Sequence, residues 1–412
     1  MQAFRHAARL LRANAARIVI LGFLALPLVA TVFWSSDTTG EQRTLAPAPG
    51  MPGSWEEALA WPARAEAWSN DHFGWRDQMV RLYARLRHDL FDRFPTNQVI
   101  AGREGRIFLA AHNDRGQGAP YTALIACGWQ FHEGPRVVRE FNAFSDVFKA
   151  RGIPAKLLIV PSGPVVYSDQ LQPWQSERCK PDAVPLRGLL AAPDLDPQAR
   201  ERIYFPLSEM WALRDQVEFF PKTYFHWGAS GAAAVAAMAE RHFYGRGDEV
   251  GKPIPLVAKV RPSDVAYLFE GITHDSLADE PDFAGTTITP CFGAACFPQQ
   301  QAMMDKLAVV GRYVNSAPGL GPRLVILSDS FGYAGAPMFA RYHREVVYVS
   351  TNALARLDAQ EVEQLRQLMF VPGSDDEVLF LYHDATVLFL RVGTDLNMLF
   401  PGSMPPVVKD DK

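Results

Sequence analysis

An uncharged apolar run from Ile18 to Trp34 opens the chain, preceded by Arg5, Arg9, Arg12 and Arg17 and followed by Asp37 and Glu41. Its 17 residues would reach about 25 Å as a helix, at the short end of a bilayer crossing. Basic residues before the run and acidic residues after it predict a cytoplasmic N-terminus and an exported body. The same charge pattern suits a cleaved signal peptide, but no A-x-A-like site follows, since Thr31–Ser36 reads TVFWSS. Trp34 suits an interfacial anchor. The expectation is an uncleaved signal anchor over 1–37, with a buried core helix as the alternative.

Thr38–Ser54 (TTGEQRTLAPAPGMPGS) is rich in Thr, Pro and Gly and predicts a tether. Over 55–95, Trp61, Ala65, Trp68, Phe73, Trp75, Val80, Leu82, Leu86 and Leu90 recur at helical spacing. Val99–Leu109 (VIAGREGRIFL) predicts a hairpin about a glycine turn. From about 135 the period alternates. Helices are predicted over 135–151, 208–215, 229–241 and 359–369, with apolar strands over 155–160, 202–205, 323–327, 346–349 and 377–382. Short apolar strands between helices predict an α/β domain over 55–400, its mostly parallel sheet covered by helices on both faces. Residues 245–300 have no clear period and are expected to be an irregular insertion; 401–412 is a tail. No internal repeat or low-complexity tract is present.

The 412 residues carry 41 basic and 45 acidic side chains, a net charge of −4, so the composition gives no electrostatic reason to expect nucleic acid. With 48% apolar and 21% charged residues the chain can bury a core, which excludes wholesale disorder. Export changes the meaning of its four cysteines, because an oxidising compartment favours disulfides. Three connectivities are open to them. Local closure favours Cys291–Cys296 across CFGAAC, with Cys127–Cys179 as the second bridge.

Reactive groups in open α/β sheets collect at the carboxyl ends of strands. Leu324–Leu327 runs into Ser328-Asp329-Ser330-Phe331-Gly332, which can expose the Ser330 hydroxyl and offer its N–H to an oxyanion. His226, in Tyr224-Phe225-His226-Trp227-Gly228, could take the serine proton. Taken singly, a serine after a strand is more often a cap or turn, and a histidine more often merely packed.

The chain resembles the AlgJ/AlgX group of bacterial exopolysaccharide O-acetyltransferases in five ordered blocks over roughly 65–385. Asn70-Asp71-His72-Phe73-Gly74-Trp75-Arg76 is similar to D-x-F-x-x-R, and Val99–Leu109 to V-x-G-x-x-G-W-L-F. Val160-Pro161, Val166-Tyr167 and Leu171–Pro173 resemble V-P-x-K-x-x-V-Y-P. His226-Trp227 is similar to D-x-H-W, and Asp329-Ser330-Phe331 to G-D-S-F. The resemblance implies a permuted SGNH-hydrolase-like domain, with Ser330 as nucleophile, His226 as base, and acetyl transfer to a sugar hydroxyl through an acetyl-serine. It also implies an exopolysaccharide acceptor of cellulose or alginate type and a membrane-bound O-acyltransferase as acetyl supplier. The expected location is the inner membrane, single-pass through 18–34, with the body in the periplasm.

Two positions depart from the pattern. Tyr224 stands where the family has aspartate, and Gly163 where it has lysine. A triad acid fixes the imidazole tautomer and stabilises its charged form, whereas Tyr224 could orient His226 without supplying charge. Another carboxylate, a Ser–His dyad or a degenerate site all remain open; Asp215 and Glu218 are close in sequence, and nothing in the sequence places them beside His226. Asn352, after the VVYVS strand, is a candidate second oxyanion donor, with an N-cap as the alternative. Asp329 is expected to fix the turn. His383-Asp384 is read as structural, because adjacent strand residues face opposite ways. Trp55, Trp61, Trp68, Trp75 and Phe73 could stack on sugars, but at helical spacing they read as core. With no P-loop, G-x-G-x-x-G, H-E-x-x-H or paired Cys-x-x-Cys, no metal or nucleotide cofactor is indicated. The rivals to an O-acetyltransferase are a non-catalytic polymer- or partner-binding component and an acetylesterase.

Overall fold

The predicted apolar strands form the parallel part of a seven-stranded sheet in the computed structural model, which describes residues 14–33 and 45–404 except 73, 92, 97, 110–121 and 372. The strands are β1 (Val99–Ala101), β2 (Ile107–Leu109), β3 (Ala155–Val160), β4 (Ile203–Tyr204), β5 (Leu256–Pro262) and β6 (Asp275–Pro281), followed by β7 (Ile288–Phe292), β8 (Val310–Asn315), β9 (Gly321–Ser328), β10 (His343–Ser350) and β11 (Glu377–His383). The main sheet has the order β4-β3-β11-β9-β10-β8-β7. Neighbours from β4 to β10 pair in parallel, while β8 and β7 add antiparallel at one edge. The fold is therefore mixed α/β with a largely parallel centre.

Strand alternation divides the core in two. Leu157, Ile159, Val325, Leu327, Phe380 and Tyr382 face a layer that includes Phe141, Phe144 and Phe148 of the helix Gly134–Lys149. Leu158, Val160, Leu324, Ile326, Leu379 and Leu381 face the helices Ala229–Tyr244 and Gly332–Phe339. Since both faces are covered, the central strands read as unbroken apolar runs. Emptying a buried ring position such as Phe144 would cost about 3–5 kcal/mol.

The hairpin forms as expected. Arg106 N–H donates to the Arg103 carbonyl at 3.0 Å. Glu104 (φ 57°) and Gly105 (φ 77°) both take the left-handed conformation that the right-handed twist of a two-residue hairpin favours. Both expected disulfides are present, Cys127–Cys179 and Cys291–Cys296. The segment 245–300 is not irregular: β5 and β6 form their own antiparallel ladder, and β7 joins the main sheet. Its charged and proline-broken strands hid the alternation.

The chain divides into two compact units, Met1–Pro95 with Ala266–Thr273, and Thr96–Val265 with His274–Lys412. In the first, the expected long helical stretch is two helices, Trp55–His72 and Arg76–Phe91, with Trp75 between them at φ 66°. The tryptophans read as core are not buried there: Asp71 is the buried residue of Trp55–His72, its carboxylate accepting from the Ala46 N–H at 2.8 Å. Residues 15–33 form a helix of 19 residues. The expected membrane span is not supported, since among the described residues no helix is long and apolar enough to cross a membrane. At 1.5 Å per residue this helix reaches about 28 Å, just under a hydrocarbon core of about 30 Å, and it includes Arg17 and Pro27. Trp34, the rest of the stub, much of the tether and most of the tail lie outside the described residues.

Candidate active site

The carboxyl ends of four parallel strands meet in register, with Val160 opposite His383, Leu381 opposite Ser328, and Ser328 opposite Ser350. Ser328 closes β9 by donating its hydroxyl to the Leu381 carbonyl at 2.5 Å. The chain then turns around the buried side chain of Asp329. One carboxylate oxygen accepts the Phe331 N–H at 2.9 Å. The other accepts the His383 N–H at 3.0 Å and its Nδ1–H at 2.7 Å. Burial alone would raise this carboxyl, but the His383 ring and the N–H bonds outweigh it and hold the pKa below the ordinary value. Asp329 thus fixes the turn and leaves Ser330 half-buried at its tip, just before the helix Gly332–Phe339. Neither the N–H nor the hydroxyl of Ser330 is bonded among the described residues.

Gly332 makes this geometry possible. A Cβ at that position would collide with the Tyr348 ring and lie 2.5 Å from Ser328 Cβ, so only glycine lets the helix begin against β9 and β10.

His226 comes from the loop before Ala229–Tyr244. Its neighbour Trp227 donates the indole N–H to the Phe331 carbonyl at 2.8 Å. The His226 and Phe331 ring centres are 5.4 Å apart. The histidine segment is thereby tied to the residue that follows Ser330.

Sequence reasoning missed the residue that holds His226. Asp264, just past β5, accepts the His226 Nδ1–H at 2.7 Å, the His226 N–H at 2.9 Å and the Phe225 N–H at 2.9 Å. With Nδ1 donating to a carboxylate, Nε2 carries the basic lone pair; that atom is buried and has no hydrogen-bond partner. Asp264 is 38 residues beyond His226 in sequence, inside the stretch read as irregular. Only recognising β5 and β6 as a ladder, with Ser263-Asp264 at the end of β5, could have pointed to it.

The other candidates are placed as follows. Tyr224 makes no side-chain bond to His226, so the orienting contact belongs to Asp264 instead. Burial, then the charge of Asp264, pushes the Tyr224 phenol above its usual value and keeps it neutral. Asn352 is exposed in the turn after β10, and the cap there is Ser350, whose hydroxyl accepts the Asn352 N–H. His383 and Asp384 do not bond each other: His383 holds Asp329, while Asp384 accepts the Ser162 N–H at 2.9 Å beside Gly163. Asp215 and Glu218 make no ion pair with His226, and Glu218 instead approaches Arg106 at 4.0 Å.

The fold and site define an α/β protein with Ser330 at the carboxyl end of a parallel strand and an Asp264–His226 pair from neighbouring loops tied to the residue that follows it. No protein-family model and no curated protein matches the chain. Solved structures do. A DHHW family protein from Eubacterium siraeum is 14% identical with a TM-score of 0.44, over 63% of this chain and 88% of that one. Bacillus cereus PatB1 is 12% identical with a TM-score of 0.43, over 70% and 96%. The O-acetyltransferase domain of Pseudomonas putida AlgJ is 14% identical with a TM-score of 0.39, over 73% and 98%.

Proposed function

We propose that the protein is a serine-type O-acetyltransferase acting on hydroxyls of a bacterial exopolysaccharide. The observation that carries this is the Asp264–His226 pair, whose unpartnered Nε2 belongs to a ring lying against the residue next to Ser330. Nε2 takes the Ser330 proton as Oγ attacks the acetyl carbonyl, and returns it to the departing group of the donor. The free N–H of Ser330 donates to the tetrahedral oxyanion, with Asn352 as the proposed second donor. A sugar hydroxyl then gives its proton to Nε2 and attacks the acetyl-serine, and Ser330 leaves with that proton. Asp264, through its bond to Nδ1, holds the ring in place and stabilises the imidazolium.

The five sequence blocks support the acetyl group, a membrane-bound O-acyltransferase as its supplier and the polysaccharide acceptor. The basic-then-apolar N-terminus supports export, with the body in the periplasm. The Asp264–His226 bond supplies a carboxylate despite Tyr224 and supports an enzyme over a decayed site. The test uses the full-length chain in detergent with a small activated acetyl ester. Turnover is expected in the wild type and its loss in Ser330→Ala and His226→Ala; equal rates in all three would refute the assignment. Adding oligosaccharide acceptors separates a transferase, which yields acetylated sugar, from an esterase, which yields acetate only.

A further inference from the structure

The site above leaves one aromatic cluster unused. Trp129 follows Cys127 by two residues, and Arg178 precedes Cys179, so the Cys127–Cys179 disulfide clamps both segments together. The Arg178 guanidinium lies 4.4 Å from the Trp129 ring centre. Trp174 meets Trp129 edge to face, with ring centres 5.9 Å apart. Beside them is a cleft of about 540 Å³ lined by Cys127, Gly128, Trp129, Gln130 and Arg178. Gln130 holds a left-handed backbone (φ 53°) at its rim, a conformation that a non-glycine residue keeps only where its surroundings enforce it.

A tryptophan that serves only as core is buried, yet Trp174 is 44% exposed. The Trp129 ring, the Arg178 guanidinium and Gln130 line the cleft, the exposed Trp174 ring stands against Trp129, and the set matches the chemistry of a pyranose. Its C–H face packs on an aromatic ring while its rim hydroxyls seek fixed donors and acceptors. The wall of the cleft is linked through packed residues to the carboxyl end of the sheet. Cys179 Sγ lies 3.3 Å from the Pro164 carbonyl oxygen, and Ser162, two residues earlier, donates to Asp384. His383, the next residue back, holds the Asp329 turn that precedes Ser330.

We infer that Trp129, Trp174, Gln130 and Arg178 form a glycan subsite, taking a pyranose of the acceptor polymer some way along the chain from the sugar that is acetylated. Only the fate of the bound glycan rests on the acyl-transfer reading; binding itself does not. The disulfide is then part of the subsite, because it holds the ring and the guanidinium at a fixed separation.

The experiment is calorimetric binding of cellohexaose and, separately, of a mannuronate hexamer to full-length Ser330→Ala protein, in which no acyl-serine can form. Binding of at least one hexasaccharide is expected, weakened about tenfold or more by Trp174→Ala and by Trp129→Ala. Trp174→Phe, which keeps a ring, should retain most of the affinity. Thermal melting confirms that each variant is folded, and Tyr83→Ala, an exposed aromatic elsewhere (57%), should bind as the parent does. Undiminished binding in folded Trp174→Ala and Trp129→Ala overturns the inference, and so does a parent that binds neither hexasaccharide. Ester turnover by the Ser330 protein is a separate measurement, so failure of the acyl-transfer reading is distinguishable from failure of this one.

Discussion

Replacing Asp264 by asparagine tests the site most directly, because the two side chains have nearly the same shape and differ in charge. Two unit charges about 4 Å apart attract by about 1 kcal/mol in bulk water and about 4 kcal/mol near a protein surface. The His226 and Asp264 side chains are 32% and 19% exposed, so solvent screens part of that attraction. A loss of about 2–4 kcal/mol of transition-state stabilisation follows, a fall of about 30- to 1000-fold in rate. That is less than the roughly 10⁴-fold cost of the corresponding change in a buried protease triad. The carboxylate also accepts the Phe225 and His226 N–H groups, and asparagine has one acceptor oxygen for this work. The assay is turnover of a small activated acetyl ester, read as kcat and KM separately. The loss should fall on kcat, because Asp264 bonds the base and its backbone, not the ester. Asp264→Asn within about threefold of wild type, alongside inactive His226→Ala, would show that the bond does not serve catalysis.

Three further perturbations have expected signs. His383→Leu leaves the buried Asp329 carboxylate without its ring partner, costing about 3–5 kcal/mol at pH 7. Because Asp329 is depressed in the folded protein, its contribution is present above the unfolded carboxyl value of about 3.9 and is lost as pH falls through the folded one. Urea midpoints at pH 7 and pH 3, the second below the unfolded value, should therefore show a smaller penalty at the lower pH. Glu140, buried beneath the Gly393 N–H, has its pKa pushed up to about 7 from 4.5 by burial. Between those values the folded state binds the extra proton, so stability falls as pH rises through that window. Glu140→Gln, which keeps the acceptor, should raise the melting point at pH 8 by the equivalent of about 1–3 kcal/mol and change little below pH 4.5. Gly332→Ala should cost about 1–3 kcal/mol by overpacking against Ser328 and Tyr348 and abolish most ester turnover by moving the Ser330 turn. Stability loss with undiminished turnover would contradict it.

The parallel centre of the sheet was legible because strands buried on both faces need no alternation. AKLLIV and RLVIL are apolar at nearly every position, and both form where expected. The strands that went unread are those whose composition reflects solvent and local pairing. β5 (LVAKVRP) is mostly exposed and β6 carries three acidic residues. Asp264 was hidden for the same reason, since its partner is fixed by a ladder between distant segments and not by spacing along one. Ser330 and Asp329 were visible because a buried strand leads straight into them. The N-terminal run shows the converse: an apolar stretch determines a helix, while the length of that helix and the Arg17 and Pro27 within it bear on whether it can span.

The two borders of the main sheet are closed in different ways, and this bears on how the protein survives at high local concentration. A bare border strand invites another chain to pair with it. At one border β4 offers only Ile203 and Tyr204, too short a template to nucleate addition. At the other, β7 has Pro290 at its centre, a residue with no N–H to donate. Its end is pulled into the small ring closed by Cys291–Cys296. Opening that second disulfide should therefore leave β7 more available for pairing with another chain.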